Sequence, residues 1–184
     1  MGCPFPLQIC AKHALLGVLF LFACLSAAAQ SIENRYRTHY CNGGVTYFFC
    51  PKQLKHTQHV EGFTFDMTYH TSGDSVFVNF TLLTAKPVNV DSVVMRNAGS
   101  GHGYAGKNLT TLYYDVRGKR CEIRTTSKFA FADIRRVFAG ETALRFEMIL
   151  DDGTPCSAVY GHSQWSKERR QIKRILELID YQRK

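Results

Sequence analysis

The segment from Asn97 to Asn108 contains residues that could hold a phosphate group. Gly101, Gly106 and Lys107 have the spacing of a P-loop, in which backbone N–H groups and a lysine bind phosphates. The position of the magnesium-binding hydroxyl is occupied by Asn108, however, and the residues that follow favour a strand. A P-loop must lead into a helix, whose first amides hold the phosphates, so nucleotide hydrolysis is not predicted.

The same segment is the main candidate for a binding site of another kind. Its four glycines disfavour regular structure, so we predict an irregular loop between two strands. His102, Tyr104 and Lys107 are the loop side chains best suited to contact a ligand. Loops held by a rigid scaffold commonly carry binding function. The alternative is a plain connection that binds nothing.

Ser163 lies in a sequence that resembles the nucleophile elbow of a hydrolase, between a predicted strand and a predicted helix. The elbow needs a glycine where this chain has Trp165, and a histidine further along the chain, where none follows. Ser163 is therefore predicted to cap the helix. The alternative function is a hydrolase of envelope material that uses Ser163 or an unrecognised His/Asp pair.

The histidines do not form a recognisable metal site. Cys41, Cys50, His56 and His59 are close in sequence, but their spacing matches no standard zinc pattern. His56 and His59 are one helical turn apart in a segment that does not read as helix. We therefore predict no metal and no cofactor.

Residues 1–29 have the pattern of a secretory signal peptide. A charged lead-in precedes an apolar run from Ala14 to Leu25, which is shorter than the about 20 residues that a membrane-spanning helix needs. Small residues before the site suit cleavage after Ala29. The alternative is a lipoprotein box that ends at Cys24, which would anchor the chain by lipid. In both cases the chain is predicted to be exported, to the periplasm or out of the cell.

The exported part, residues 30–184, is one domain by length and is basic. Removal of the leader takes away Lys12 and no acid, so the formal net charge falls from +8 to +7. A basic surplus favours anionic partners, and we expect an unknown protein or an anionic envelope surface, and no nucleic acid. Ordinary solubilising charge is the alternative. No later segment reaches membrane-spanning length, so no transmembrane span is predicted.

Four cysteines remain in the exported part, and an oxidising compartment favours disulfides between them. They are Cys41, Cys50, Cys121 and Cys156. Four cysteines allow three connectivities. Cys41 and Cys50 share a predicted hairpin and could be too far apart for a bridge, because strand residues rise by about 3.3 Å each. A Cys121–Cys156 bridge is the favoured pairing.

Strand patterns separated by turn residues fill most of the exported part. Residues 63–70 alternate apolar and polar side chains, as in a half-buried strand, and Asn42-Gly43 is a strong hairpin signal. Residues 51–61 are polar and are predicted to be a loop. Hairpin follows hairpin without strand–helix–strand alternation, so we predict a mainly β fold, an antiparallel β-sandwich or a curved sheet.

Two helices are expected beside the sheets. A short one is predicted within residues 129–139, and a C-terminal amphipathic helix is predicted over residues 164–180, where apolar residues recur at helical spacing. The apolar side of the C-terminal helix must be buried against a sheet. Its basic residues could face an anionic surface, but Glu168, Glu177 and Asp180 interrupt them, so ordinary solvation is predicted.

Overall fold

The computed structural model of the chain describes residues 34–41 and 43–183. The predicted signal peptide, its cleavage site after Ala29 and the alternative lipidation site Cys24 lie outside these residues. Asn42, the first residue of the predicted tight turn, also lies outside them. The helices and strands belong to residues 36–182.

Within these residues the chain forms eleven strands and two helices. In chain order they are β1 (Tyr36–Cys41), β2 (Gly44–Leu54), β3 (His56–Gln58), β4 (Gly62–His70), β5 (Ser75–Thr84), β6 (Val90–Asn97), β7 (Gly103–Ala105), β8 (Lys107–Arg117), β9 (Arg120–Ala130), α1 (Phe131–Ala139), β10 (Leu144–Leu150), β11 (Pro155–Val159) and α2 (His162–Gln182). The larger sheet has six strands in the order β1-β2-β4-β5-β9-β8, and the smaller has five in the order β3-β11-β10-β6-β7. All the described pairings are antiparallel, so the predicted sandwich is confirmed.

Alternation of apolar and polar residues builds the core of the sandwich. In β4 the side chains of Phe63, Phe65, Met67 and Tyr69 are all buried. Successive side chains of a strand point to opposite faces, so this set faces the interior. The ring of Phe146, from the smaller sheet, lies 4.8 Å from that of Phe63 and 4.9 Å from that of Phe65. Aromatic contacts therefore join the two sheets.

The segment from Pro51 to Glu61, predicted to be a loop, is largely strand. Strand β2 continues to Leu54 across a register shift between Phe49 and Lys52 in its pairing with β4. This irregularity admits Pro51, which cannot donate a hydrogen bond to a regular ladder. Strand β3 then pairs with β11 at the edge of the smaller sheet. The loop prediction is wrong because a polar segment can still pair as a strand.

Both predicted helices are present, and the C-terminal one starts earlier than expected. Helix α2 runs two residues further at each end than the predicted range 164–180. Its N-cap is Gly161, and no side chain caps it. The prediction that Ser163 caps the helix is therefore wrong. Ser163 lies exposed in the first turn.

Helix α2 buries its apolar side, as its sequence pattern requires. Trp165 is fully buried, and its ring centroid lies 5.4 Å from that of Tyr160 and 5.5 Å from that of Phe138 in α1. The indole N–H of Trp165 donates to the carbonyl of Glu141 at 3.1 Å, which satisfies the polar end of the ring. In the described part of the chain, neither helix has the length and apolar character required to cross a membrane.

Cys121 and Cys156 are free thiols, so the predicted bridge between them is not formed. Cys121 belongs to β9 in the larger sheet, and Cys156 belongs to β11 in the smaller one. On the first hairpin, Cys41 pairs with Gly44 at the turn, and Cys50 lies further along β2. Position on the hairpin therefore separates Cys41 from Cys50.

Candidate functional site

The predicted binding loop contains a point at which the chain passes from one sheet to the other. Strand β7 lies at the edge of the smaller sheet and pairs with β6. Lys107 already belongs to β8, at the edge of the larger sheet, and pairs with Lys128. Gly106 is the single residue between these strands. Residues 103–108, here called the sheet crossing, are therefore mostly paired strand, and the expectation of an irregular loop is wrong for them.

Gly106 is required because the two sheets approach closely at this point. A Cβ atom there would lie within 3 Å of Ser127 Oγ, Val93 Cγ1 and Phe129 Cζ. The Gly106 N–H donates to the carbonyl of Val93 in the smaller sheet at 2.9 Å. The buried Ser127 hydroxyl of the larger sheet donates to the carbonyl of Lys107 at 3.0 Å. Both sheets therefore hold the backbone of the sheet crossing.

A cavity of about 330 Å³, here called the crossing cavity, lies beside this segment. Lys107 and Asn108 of the sheet crossing line it together with Ser75 and Lys128 from the neighbouring strands and Asp133 from the first turn of α1. The two ammonium groups outnumber the single carboxylate, so the lining has a basic surplus.

Two contacts bias the crossing cavity toward an anion. The Lys128 ammonium lies 4.9 Å from the centre of the Phe77 ring, over its face, which restrains the lysine. The Asp133 carboxylate accepts a hydrogen bond from Arg136 at 3.1 Å, so the acid is already engaged by a cation. Lys107 and Lys128 are direct cross-strand partners. Like charges in that arrangement repel, and an anion between them would relieve the repulsion.

The three predicted site residues have different surroundings. Lys107 lines the crossing cavity. His102 is exposed just before β7, where its backbone N–H donates to the Ser100 hydroxyl at 3.1 Å. Tyr104 is half-buried and pairs with Met95, whose side chain is in the core, so Tyr104 faces the same side. The structure therefore does not bring the three side chains together.

Sequence reasoning misses Ser75, Lys128 and Asp133 as neighbours of Lys107. They reach the crossing cavity through the pairing of β5 and β8 with β9 and through the start of α1. One sequence signal was available, since alternation along β9 puts Lys128 on the face opposite to buried Phe129. The register that brings it beside Lys107 is a long-range property of the fold.

A hydrolytic centre at Ser163 has no support in its contacts. Within residues 43–183, no hydrogen bond joins this exposed serine to a histidine or a carboxylate. A serine–histidine contact occurs instead in the β4–β5 turn, where His70 Nδ1 lies 2.6 Å from Ser72 Oγ. His70 Nε2 lies 3.2 Å from the carbonyl of Cys41, so the ring can donate there and accept from Ser72. The Ser72 backbone N–H also approaches Nδ1, at 3.3 Å, which is a contact that closes the turn.

The histidines and cysteines of the first strands are spread over different elements. Among residues 34–41 and 43–183, no group of three or more His, Cys, Asp or Glu side chains is arranged to hold a metal ion. His56 begins β3, and His59 follows this strand with a positive φ of 61°. The pair therefore does not lie on a helical turn.

A second passage between the sheets, residues 85–89 between β5 and β6, is exposed except for Val88, whose side chain is buried, and we call it the exposed crossing. The Lys86 ammonium lies 2.9 Å from the Asp152 carboxylate, and the Thr84 hydroxyl donates to the Lys86 carbonyl at 2.7 Å. Hydrogen bonds from Thr154 and then Lys86 hold the pKa of the Asp152 carboxyl well below its usual value. The same contact with Asp152 raises the pKa of Lys86.

No protein-family model, curated protein or solved structure matches this chain. Its function is therefore inferred from the contacts of the described residues.

Proposed function

We propose that this chain is an exported, non-catalytic binding domain whose ligand occupies the crossing cavity. The observation that carries the proposal is the pairing of Lys107 with Lys128 beside a cavity of about 330 Å³. This volume lies at the lower end of the range of about 300–1,000 Å³ that is usual for ligand pockets. The rigid sheet crossing supports the site, because Gly106 and Ser127 fix the backbone that carries Lys107.

The chemistry of the lining favours a ligand with a small anionic group. Two lysines supply the positive charge, and the Ser75 hydroxyl can add a hydrogen bond. The Asp133 carboxylate would repel an anion less than a free acid would, since Arg136 already binds it. An acidic group of envelope material, or of a protein partner, fits this description. His102 and Tyr104, which the sequence predicts as site residues together with Lys107, are not part of the proposed site.

Export is proposed from the sequence of residues 1–29. The intact mass of the protein recovered from its natural host tests it. A mass that begins at Gln30 supports a cleaved signal peptide and a periplasmic or extracellular location. A mass that includes lipid at Cys24 supports the lipoprotein alternative, and a full-length mass contradicts both. The same measurement reports whether the four thiols of the exported part are reduced or bridged.

Titration with inorganic phosphate, followed by backbone amide NMR, tests the binding site. We expect saturable shifts concentrated at residues 105–108 and 128–130. The double variant Lys107→Gln/Lys128→Gln should lose them, because it removes both cations of the cavity. The matched control Lys55→Gln/Lys119→Gln, which makes the same change of charge at exposed sites elsewhere, should keep them. Equal loss in both variants would contradict the proposal.

A second candidate function, hydrolysis of envelope material, rests on the contact between His70 and Ser72. The Cys41 carbonyl orients the ring as an acidic partner would in a catalytic triad. A fluorophosphonate probe that labels Ser72, with labelling abolished by His70→Ala, would support this function. Absence of labelling leaves the 2.6 Å contact as a turn interaction and removes the candidate.

A further inference from the structure

The outward side of helix α2 is strongly basic. Lys167, Arg170, Lys173 and Arg174 are all exposed. Residues three and four apart lie on the same side of a helix, so these four form one continuous stripe. The apolar side of the helix is buried in the core, which leaves this stripe as the surface that α2 presents to solvent.

Two of the three acids that interrupt the basic residues in the sequence bind cations of other elements. Glu168 is buried and bound to Lys52 of β2 at 3.1 Å. Asp180 binds Arg135 of α1 at 2.8 Å. Glu177 alone of the three remains well exposed, 3.9 Å from Lys173. The folded helix is therefore more basic on its outward side than its sequence indicates, and the prediction of ordinary solvation loses its main argument.

Helix α1 adds to this surface. Three cations and one acid line a groove of about 350 Å³ between the helices: Arg135 and Arg136 of α1, and Lys173 and Glu177 of α2. The groove also has apolar walls, to which Leu176 contributes. Arg135, Arg136 and Lys173 are between 53% and 67% exposed, so their ion pairs with neighbouring acids are screened by water. Even when these three acids are counted against their partners, the exposed Lys167, Arg170 and Arg174 keep the surface positive.

Exposed apolar side chains lie at the C-terminal end of the same helix. Leu178 is 38% exposed and Tyr181 is 79% exposed. Tyr181 follows Arg174 by seven residues, which places it on the line of the basic stripe. An exposed tyrosine beside cations is typical of surfaces that rest at the boundary between water and lipid head groups.

We propose that the outward face of α1 and α2, here called the basic helical face, docks on an anionic lipid surface. Charge complementarity favours a lipid surface over one small anion. The cations of α2 are spread along a helix roughly 30 Å long, and those of α1 lie beside them. Because Arg135, Arg136 and Lys173 have acidic neighbours, Lys167, Arg170 and Arg174 make the main contact with the lipid head groups. Since the apolar side of α2 is committed to the core, the protein adsorbs reversibly and does not insert.

Co-sedimentation with vesicles tests this docking. The protein binds vesicles that contain phosphatidylglycerol, and it does not bind pure phosphatidylcholine. Each Lys or Arg near an anionic surface changes the affinity about fivefold, so Arg170→Gln/Lys173→Gln/Arg174→Gln weakens binding about a hundredfold. The matched control Arg37→Gln/Lys55→Gln/Lys119→Gln removes the same charge at other exposed positions and retains near-normal binding. All variants are compared in the same N-terminal form, which intact mass defines.

The outcomes that overturn the docking are distinct. Equal binding to both kinds of vesicle, or no binding to either, removes the charged-lipid partner. Equal weakening in the control triple variant shows that net charge acts without a defined face. Tighter binding to soluble poly-glutamate than to vesicles assigns the face to an acidic protein instead. The docking does not depend on the crossing cavity, so Lys107→Gln/Lys128→Gln retains at least half of the wild-type vesicle affinity.

Discussion

The sheet crossing and the exposed crossing both carry the chain from one sheet to the other, but different kinds of contact hold them. At the sheet crossing one glycine lets the chain change sheets, because Ser127, Val93 and Phe129 leave no room for a side chain. At the exposed crossing several residues make the passage, held by the Lys86–Asp152 ion pair at 2.9 Å. The first depends on close packing around one glycine, and the second combines one buried side chain, Val88, with polar contacts that water can replace.

The difference shows which passages can be altered without loss of the fold. A tightly packed passage tolerates little change of volume, because its neighbours in both sheets are fixed by their own pairing. An exposed passage can rearrange, since its groups find water when they lose each other. A rigid passage also holds nearby side chains in place, and we propose the ligand site beside the rigid one. The two kinds of passage should therefore respond very differently to substitution and to pH.

The largest effect is expected from Gly106→Ala. The new Cβ would press on buried atoms of both sheets, and overpacking of this kind costs about 1–3 kcal/mol or more. We expect a loss of about 3 kcal/mol in the free energy of unfolding, together with weaker phosphate shifts at Lys107. Urea denaturation measures the first effect, and the amide titration measures the second.

Gly101→Ala is the matched control, since nothing lies within 4 Å of a Cβ built at that position. It is also a glycine before the sheet crossing, and its replacement should change stability by less than about 1 kcal/mol. Equal losses in the two variants would mean that loop flexibility, and not close packing, governs this part of the chain.

The sequence predicts well the elements whose pattern is local. Residues 63–70 alternate clearly and form β4, and the apolar residues of the C-terminal helix recur at helical spacing and form α2. The hairpins are local too, and they lead directly to the antiparallel sandwich. The helix boundary at Gly161 does not follow from the sequence, because Ser163 is a favourable capping residue that the chain does not use as one.

The sheet crossing could not be predicted in the same way. Four glycines near Tyr104 read as irregular loop, but their surroundings depend on β6 and β9, which pair with this segment from different sheets. The neighbours of Lys107 likewise depend on register between distant strands. The failed Cys121–Cys156 pairing has the same origin, since strand patterns do not reveal which sheet a strand joins.

A smaller effect is expected from Cys156, a buried group near the exposed crossing. Burial, with a lesser contribution from Asp152, raises the pKa of the Cys156 thiol from 9.0 to about 11. Between these pH values the unfolded chain loses its thiol proton while the folded chain keeps it. The contribution of the protonated thiol to the free energy of unfolding is therefore fully present below pH 9. It falls by about 2 kcal/mol as the pH rises toward 11.

Urea denaturation of the native protein and of Cys156→Ala, at several alkaline pH values, measures how steeply the free energy of unfolding falls with pH. The variant should lose less stability over the same interval. Tyr47 and Tyr69, whose pKa values are also raised by burial, contribute equally to both proteins and serve as the internal reference. Identical slopes would show that the thiol is not shielded and that the exposed crossing leaves Cys156 open to water.

The smallest effect is expected at the exposed crossing itself, from Asp152→Asn. The folded pKa of the Asp152 carboxyl is depressed by Thr154 and Lys86, so its contribution to stability is present above the unfolded pKa of about 3.9. That contribution is lost as the pH falls through the lower folded pKa. The melting temperature of Asp152→Asn should therefore fall slightly less steeply than that of the native protein as the pH is lowered. Near neutral pH it should hardly change, because both partners are exposed. A neutral-pH loss as large as that of Gly106→Ala would mean that the exposed crossing, like the sheet crossing, is fixed by contacts that water cannot replace.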